Sequence, residues 1–600
     1  MTLYNPLDKF YKSVTGAVRS DKEITFRVKG NFDSVVFVYE KDGVALTENV
    51  QMDKRNGYFE CRITFPRGLY TYRFAIGENL YIGAGKELKG VVTDTPESYY
   101  ITSFSPEYTV PEWLCGGIIY QIFPDRFYCK NKNKRIPQGK IYHEDKSDVP
   151  IFTPTPEGKV LNNDFFGGDI AGIIEKLPYI SSLGVTAIYL NPVFEAYSNH
   201  RYDTGDYMKI DSLLGTEEDF KELIEKADSY GIKIILDGVF NHTGDDSVYF
   251  DKYGTYGNHG AYGDANSPFR SWYKFIKYPT EYESWWGITT LPATNKEDSG
   301  YIDFITGKNG VLSRYTKLGI GGWRLDVVDE LPAPFVRKIR TAIKRENENA
   351  IVIGEVWEEA STKISYGVRR EYFLGAELDS VMNYPLKNAI ISFVKQGNSE
   401  RIADCVREQL DRYPSFVLNS VMNILGTHDT ARILSAVGDF NSDGKTKEEL
   451  SRVRYDGTEY ELAKNRVKAA ALLNYTLAGV PCVYYGDEIG MQGFTDPLNR
   501  RYFEWDNRDE ELLSFFRRLG KLRKTVSALK DGELKILYSY NGAFVFNRKD
   551  EYSEILVVAN FGEREKYIRF DGKLKNALTD EVLENEITLK NGAFGAYFAI

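Results

Sequence analysis

Three short segments each place a carboxylate directly after an apolar run that is typical of a buried strand. They are Gly-Trp-Arg-Leu-Asp at 322–326, Gly-Glu-Val-Trp at 354–357 and Gly-Thr-His-Asp at 426–429, and Asp-Gly-Val-Phe-Asn-His at 237–242 has the same form. A single Asp after a strand is most often a helix N-cap. Three such carboxylates, one close to an Arg and one beside a His, instead fit the chemistry of glycosidic bonds better than any other single task.

The residues around these carboxylates predict different roles for two of them. A retaining glycosidase needs a nucleophilic carboxylate and a carboxylic acid about 5–5.5 Å apart, with pKa values split by their surroundings. Arg324 lies two residues before Asp326, so on a strand both side chains point to the same face. A guanidinium there lowers the pKa of Asp326, which predicts the nucleophile. Glu355 precedes Val356 and Trp357, and apolar neighbours raise the pKa of a carboxyl group, which predicts the general acid.

The elements that must position these residues alternate between buried strands and amphipathic helices. Helix-like segments such as 217–227 separate eight apolar strand candidates, at 117–123, 185–190, 232–237, 322–326, 351–355, 378–384, 423–429 and 481–488. This pattern predicts a (β/α)8 TIM barrel over residues 114–520, with its active site at the C-terminal ends of the strands. An inserted segment at about 243–300, after the third strand, is rich in Gly, Tyr and Trp and predicts a small inserted domain or lid.

The two ends of the chain have a different pattern from the barrel. Residues 1–108 contain short runs of β-branched and aromatic residues separated by Gly, Asn and Asp, which predicts an N-terminal β-sandwich. Residues 525–600 return to strand-like runs and predict a C-terminal β-sandwich. A chain of 600 residues exceeds one hydrophobic core, so we expect a multidomain α/β protein.

The four motifs, in this order on predicted strands three, four, five and seven, resemble the signature regions of the α-amylase family (glycoside hydrolase family 13). Within it, the chain is most similar to the neopullulanase, cyclomaltodextrinase and maltogenic amylase group. That similarity rests on Phe-Phe-Gly-Gly-Asp-Ile at 165–170, Asn-His-Arg-Tyr-Asp-Thr at 199–204 and Tyr-Tyr-Gly-Asp-Glu-Ile-Gly-Met at 484–491. The resemblance implies a retaining α-glucan hydrolase that acts on malto-oligosaccharides, cyclodextrins or pullulan. It implies cleavage of α-1,4 bonds and leaves α-1,6 bonds open.

The resemblance also implies roles for individual residues. Asp326 is the expected nucleophile, Glu355 the acid, and Asp429 the residue that holds sugar hydroxyls and stabilises oxocarbenium character. The expected substrate-binding residues are Tyr202, His200, His242, Arg324, His428, Asp496, Arg500, Trp357, Glu330 and Trp286. Two alternatives stay open: Tyr202 could fill the barrel rim, and Trp285 and Trp286 could form the core of the insertion.

Two segments depart from the pattern of the group. The string Leu-Pro-Ala-Thr-Asn at 291–295 and Asp329 stand where the group usually has Met-Pro-Lys-Leu-Asn and Asn. Relatives also often bind calcium through an Asn/Asp-rich loop after the first strand, together with the Gly-Gly-Asp string. This chain keeps Asp169 but carries Lys132, Lys134 and Arg135 in that loop. Calcium prefers several oxygen ligands of net negative charge, so we expect no metal and no cofactor, with a lysine ammonium near Asp169 supplying the charge.

Composition limits the partners and the compartment. A net charge of −10 and a pI near 5.4 argue against nucleic acid or an anionic membrane as partner, and no run of about 18 apolar residues is present. The five cysteines are scattered without Cys-x-x-Cys spacing. The N-terminus lacks a basic segment followed by an apolar one. These features predict a cytoplasmic protein.

Two kinds of alternative function remain. An exo-acting α-glucosidase or a 4-α-glucanotransferase of the same fold would use the same glycosyl-enzyme intermediate. A non-catalytic glucan-binding or partner subunit is a different class, and intact Asp326, Glu355 and Asp429 argue against it.

The short linker at 105–113, with two prolines, argues against a freely swinging N-terminal module. By resemblance, we expect a homodimer that prefers oligosaccharides.

Overall fold

Eight parallel strands form the centre of the computed structural model, which describes residues 2–132, 134, 136–156 and 158–600. They are β1 Ile119–Ile122, β2 Ala187–Leu190, β3 Lys233–Gly238, β4 Gly322–Leu325, β5 Ile351–Gly354, β6 Ser380–Val381, β7 Met422–Ile424 and β8 Val480–Tyr484. Their order in the sheet is β6-β5-β4-β3-β2-β1-β8-β7. A parallel bridge between Met382 and Met422 brings the ends together. The predicted barrel is therefore confirmed.

Helices cover the outside of the barrel, and this explains why its strands are apolar on both faces. In α2, Phe220, Leu223, Ile224 and Ala227 form one buried face, and a capping box on Thr216 begins the helix. The α-helices are α1 Ile170–Ser182, α2 Glu217–Ser229, α3 Ser299–Thr306, α4 Val311–Lys317, α5 Ala333–Glu346, α6 Tyr384–Gln396, α7 Ser399–Arg412, α8 Ser415–Leu418, α9 Ile433–Val437, α10 Lys447–Ser451, α11 Gly457–Thr476, α12 Glu510–Thr525 and α13 Ala528–Asp531. In the described part of the chain, no helix has the length and apolar character needed to cross a bilayer.

Long connections after the strands build the rim of the barrel. The segment between β3 and α3 contains the short strands Phe275–Lys277 and Glu281–Tyr282 and the 3-10 turns Arg270–Trp272 and Trp285–Gly287. A hairpin of Ile364–Ser365 and Val368–Arg369 lies between β5 and β6. The connections after β1 and β2 carry Ile141–Tyr142 with Asp164–Phe165, and Phe194–Ala196 with Thr204–Ile210.

Two sheets at the N-terminal end pack face to face on an aromatic core. Phe26 of the smaller sheet contacts Phe37 and Tyr72 of the larger one, with ring centroids 4.6 and 5.4 Å away. The smaller sheet contains Glu23–Lys29, Asp53–Arg55 and Tyr58–Thr64, and the larger contains Val18–Arg19, Val36–Lys41, Thr47–Gln51, Gly68–Gly77, Leu80–Ala84, Gly90–Thr93 and Tyr99–Phe104. A buried ion pair, Lys12 Nζ to Asp411 Oδ1 at 2.6 Å, joins this region to α7.

The C-terminal strands form one six-stranded sheet. Its strands Ala543–Lys549 and Glu554–Asn560 are buried on both faces, whereas Lys566–Asn576 and Val582–Leu589 are largely exposed. Phe544 and Phe546 of one strand belong to the barrel core, whereas Val545 between them packs with Leu574 and Ile587. The predicted C-terminal sheet domain is therefore confirmed, and its strands follow a single hydrogen-bonded path. Its strands are Glu533–Tyr538, Ala543–Lys549, Glu554–Asn560, Lys566–Asn576, Val582–Leu589 and Ala593–Ala599.

Candidate active site

A cavity of about 1640 Å³ opens at the C-terminal ends of the barrel strands. Of the thirteen residues predicted for the site, Arg324 lies buried beneath the floor, and the other twelve line the cavity. These twelve are His200, Tyr202, His242, Trp286, Asp326, Glu330, Glu355, Trp357, His428, Asp429, Asp496 and Arg500. The fold therefore collects in one cleft side chains that lie up to 300 residues apart in the sequence.

The strand ends place the two central carboxylates side by side. Asp326 directly follows β4, and its backbone N–H donates to the carbonyl of Gly238 at the end of β3. Glu355 directly follows β5, and its N–H donates to the carbonyl of Leu325. The ladder of the barrel thus continues through both residues. Their side chains are 9% and 5% exposed, so both carboxyl groups are held in a largely water-excluded floor.

Arg324 is the hub of the charges beneath this floor. Its Nη1 donates to Asp326 Oδ1 and to Asp237 Oδ1, both at 2.8 Å. Its Nη2 lies 2.9 Å from Glu355 Oε2, a charge contact without hydrogen-bond alignment. One fully buried guanidinium therefore contacts three carboxylates. Such a cluster keeps its charges only through these contacts, because an unpaired buried charge is costly.

The expected depression of the Asp326 pKa is wrong. Burial raises the pKa of this carboxyl well above its ordinary value, and the nearby Glu355 and Asp237 carboxylates raise it further, while Arg324 lowers it. Arg324 is visible in the sequence, whereas the desolvation of Asp326 is not. Asp326 shares the Arg324 cation with Glu355 and Asp237, so one guanidinium does not offset the burial of its carboxyl group.

A strained backbone residue orients Glu355. Val327 has φ 38° and ψ 51°, the left-handed region that β-branched residues rarely adopt. In this conformation its N–H donates to Glu355 Oε2 at 2.7 Å. On the other oxygen, Trp357 Nε1 donates to Glu355 Oε1 at 3.1 Å. Strain of this kind persists only where the surroundings impose it, and no sequence signal marked Val327.

One wall of the cleft is built by an aromatic and imidazole network. The Tyr202 ring stacks on His428 with centroids 5.1 Å apart, and its hydroxyl donates to Asp237 Oδ2 at 2.8 Å. Gln121 Nε2 lies 3.0 Å from His428 Nδ1, and His428 Nε2 lies 2.6 Å from the Tyr202 hydroxyl. This arrangement fits the tautomer with the proton on Nε2. The sequence reasoning did not select Asp237 and Gln121 as site residues, although Asp237 begins one of the four motifs.

The three predicted histidines lie around the cleft as neutral imidazoles. Burial lowers the pKa of His200 and His428 well below the ordinary value, and it lowers that of His242 to about 3. A neutral imidazole can both donate to and accept from sugar hydroxyls. His242 also stacks on Trp285 at 5.0 Å, which connects this wall to the inserted segment.

Asp429 faces the cleft and lies close to His428 and Arg500. Its Oδ2 lies 3.1 Å from His428 Nε2, and its Oδ1 lies 3.5 Å from Arg500 Nη2. Arg500 Nη1 also pairs with Asp496 Oδ1 at 2.8 Å. Burial, and then the Glu355 carboxylate, raise the pKa of Asp429 to about 7, although 32% of its side-chain surface faces the open cleft. The carboxylate thus keeps contact with solvent on the side that faces the cleft.

The two predicted tryptophans also line the cleft. Trp357 stacks on Tyr384 at 4.0 Å and is 45% exposed. Trp286 is 76% exposed, so it is not part of a core of the insertion, and its Nε1 donates to Glu330 Oε1 at 3.1 Å. Asp329, which departs from the pattern of the group, accepts from the Tyr372 hydroxyl at 2.5 Å and pairs with Lys363 at 3.1 Å. Its carboxylate is thereby tied to the rim.

The loop expected to hold calcium in relatives carries a lysine ammonium in this chain. Lys134 Nζ donates to the carbonyls of Gly167 and Leu213 at 2.7 and 2.8 Å and lies 3.1 Å from Asp169 Oδ2. A cation already satisfies these oxygens, so the residues present do not fit a calcium ion. Lys132 is exposed, and Arg135 lies outside the described residues. Elsewhere in the described chain, no group of three His, Cys, Asp or Glu side chains is arranged for a metal.

Comparison with known proteins agrees with this geometry. The family model described as "Alpha amylase, catalytic domain" matches residues 121–301 and 305–518. An amylopullulanase of Thermoanaerobacter thermohydrosulfuricus is 34% identical over 98% of this chain, and the chain spans only 44% of that relative's length. A cyclomaltodextrinase of a Bacillus species is 30% identical over 88% of each chain. The solved type III pullulan hydrolase from Thermococcus kodakarensis is 26% identical over 100% of each chain, with a TM-score of 0.70. This chain belongs to the α-amylase family of glycoside hydrolases.

Proposed function

We propose that this chain is a retaining α-glucan hydrolase that cleaves α-1,4 and also α-1,6 glucosidic bonds in oligosaccharides, cyclodextrins or pullulan. The observation that carries the proposal is the single buried guanidinium of Arg324, which contacts both Asp326 and Glu355 at adjacent strand ends. The printed names of the relatives, amylopullulanase, cyclomaltodextrinase and pullulan hydrolase, support the substrate class.

In the proposed mechanism, Asp326 attacks the anomeric carbon as the bond to the leaving oxygen breaks. The proton of Glu355 passes to that oxygen in the same step. Glu355 then takes a proton from water, and the oxygen of that water displaces Asp326 with net retention of configuration. Arg324 holds the Asp326 carboxylate in place, and Val327 and Trp357 fix the plane of the Glu355 carboxyl group.

Asp429 is the proposed partner of the sugar at the cleavage point. Its carboxylate would accept hydroxyl hydrogen bonds that strengthen as positive charge develops on the ring. His242 and His428 would bind further hydroxyls, and Tyr202 would offer its ring face to the sugar. Asp496, Arg500 and His200 would complete this side of the cleft, while Glu330, Trp286 and Trp357 would bind the sugar on the leaving-group side.

We also propose a domain arrangement, an assembly and a compartment. Residues 1–108, 114–520 and 525–600 would act as three domains, and the N-terminal domain would mediate a homodimer that prefers oligosaccharides to polymeric starch. Five free cysteines support a reducing, cytoplasmic setting. Light scattering on the full chain tests the dimer, and a monomer that is fastest on soluble starch would contradict it.

One product profile tests the proposed activity. The purified chain is incubated with maltotriose, pullulan and β-cyclodextrin, products are separated by chromatography, and the first anomer formed is recorded by NMR. We expect short products in the α configuration from all three substrates. Glucose released only from open chain ends would instead indicate an exo-acting α-glucosidase, and products longer than maltotriose, formed from maltotriose itself, would indicate a glucanotransferase. No product from any of them would support the binding-subunit alternative.

A further inference from the structure

Two exposed aromatic side chains stand on the same rim of the cleft and share an unusual backbone conformation. Trp286 in the inserted segment is 76% exposed, and Tyr366 at the tip of the hairpin after β5 is 72% exposed. Their φ angles are 50° and 51°, and each is followed by a glycine of positive φ. Bulky side chains rarely adopt this region, so both exposed rings are held there at some cost.

A single carboxylate oxygen connects the two rings. Trp286 Nε1 donates to Glu330 Oε1 at 3.1 Å, and the Tyr366 hydroxyl donates to the same oxygen at 2.5 Å. Glu330 lies four residues after Asp326, in the 3-10 turn that follows β4. The two aromatic side chains, from distant parts of the sequence, are therefore fixed relative to the proposed nucleophile.

The hairpin that carries Tyr366 is anchored on both sides. Ser365 Oγ donates to the Asp329 carbonyl at 2.9 Å, and Arg370 Nη1 donates to the Leu331 carbonyl at 2.8 Å. On the far side, Arg369 Nε pairs with Asp42 of the N-terminal sheet region at 3.0 Å. The turn is thus ordered before any ligand binds, and such ordering reduces the entropy that binding would otherwise cost.

A surface tyrosine on a turn usually has no ligand. Tyr366 differs because it lines the cleft, shares its hydrogen-bond partner with Trp286, and adopts a strained conformation without packing into a core. A pyranose ring presents an apolar C–H face that fits a flat aromatic ring, and its hydroxyls fit a carboxylate. Among the described residues, Glu330 Oε2 has no hydrogen-bond partner.

We propose that Tyr366 and Trp286 form an aromatic clamp for a glucosyl ring on the leaving-group side of the cleft, with Glu330 binding its hydroxyls. The inference rests on the proposed function. It adds Tyr366 as a specificity-determining residue that favours substrates extending past the point of cleavage. Because stacking is made equally in the ground and transition states, its loss raises KM more than it lowers kcat.

The test compares kcat/KM for maltohexaose with kcat/KM for p-nitrophenyl α-maltoside, whose leaving group is a single ring. We expect Tyr366→Ala to lower this ratio by about fivefold to tenfold, on the scale of one aromatic contact, mainly through KM. Tyr366→Phe keeps the ring, and the Ser365 and Arg370 anchors of the hairpin do not need the hydroxyl, so this variant should stay within about twofold of the wild type. Trp286→Ala should lower the ratio as Tyr366→Ala does. The matched control is Tyr552→Ala, which removes an exposed tyrosine from the C-terminal region and should leave the ratio unchanged.

The outcomes separate this inference from the proposed function. A wild-type chain that hydrolyses neither substrate would overturn the proposed function and the clamp together. An active wild type, with Tyr366→Ala and Trp286→Ala both within about twofold of its ratio, would overturn the clamp alone. A fall in Tyr366→Phe as large as in Tyr366→Ala would also overturn it, since the ring itself would then contribute nothing.

Discussion

The acid role proposed for Glu355 predicts a selective loss of activity when its side chain keeps its shape but can no longer donate a proton. Glu355→Gln keeps the side-chain volume in a site that is 5% exposed, so the fold should be retained. The amide cannot protonate a leaving oxygen. General-acid catalysis contributes about 10²–10⁴-fold, which corresponds to about 3–5 kcal/mol of transition-state stabilisation. The loss should therefore depend on how much the leaving group needs a proton.

The assay measures kcat/KM for maltotriose and for α-maltosyl fluoride in the same variant. We expect a loss of about 10²–10⁴-fold on maltotriose and of less than about tenfold on the fluoride, which departs without protonation.

Equal losses on the two substrates, or near-normal activity on maltotriose, would refute the assignment. Glu358→Gln is the matched control, since Glu358 lines the same cleft three residues further on but pairs with Lys363 at the surface. It should remain within about twofold of the wild type, as surface substitutions usually do.

Three other predictions concern stability. Asp429→Asn should stabilise the protein by about 1–3 kcal/mol at pH 8, because the folded carboxyl has a pKa of about 7 while the unfolded one ionises near 4. Wild-type stability therefore falls as pH rises between these values, and thermal unfolding should show no gain for the variant at pH 3.5. Lys134→Met should lower the free energy of unfolding by about 2 kcal/mol, because it leaves buried Asp169 without its cation. A chelator should change neither the melting temperature nor the activity of the wild type. A drop in either that calcium restores would show that the loop binds calcium. Lys12→Ala should lower the free energy of unfolding by about 3–5 kcal/mol in a denaturant titration, because it leaves Asp411 buried and unpaired. Arg19→Ala, at an exposed ion pair, is the matched control and should leave the titration nearly unchanged.

The barrel and its carboxylates could be predicted because their signals are local. Each strand is a short apolar run, and parallel strands bring their C-terminal ends to one edge, so Asp326 and Glu355 had to meet. The C-terminal strands have an equally local signal, since Val545 and its apolar neighbours pack on opposite faces of their strand.

The features of the site that could not be predicted from the sequence depend on packing between distant segments. The pKa of Asp326 was predicted with the wrong sign because Arg324 is visible in the sequence and desolvation is not. The left-handed Val327 is equally hidden, since a β-branched residue carries no local preference for that conformation. Tyr366 was missed because its hairpin carries no family motif, and only the fold brings it to Glu330.

The most direct test of the central claim is to trap the glycosyl-enzyme intermediate. The chain is inactivated with a fluorinated glucosyl fluoride that slows the second step, digested, and analysed by mass spectrometry. We expect one glucosyl adduct on the peptide that contains Asp326, and no adduct in Asp326→Asn. An adduct on Glu355 or Asp429 instead, or products of inverted configuration from the wild type, would contradict it.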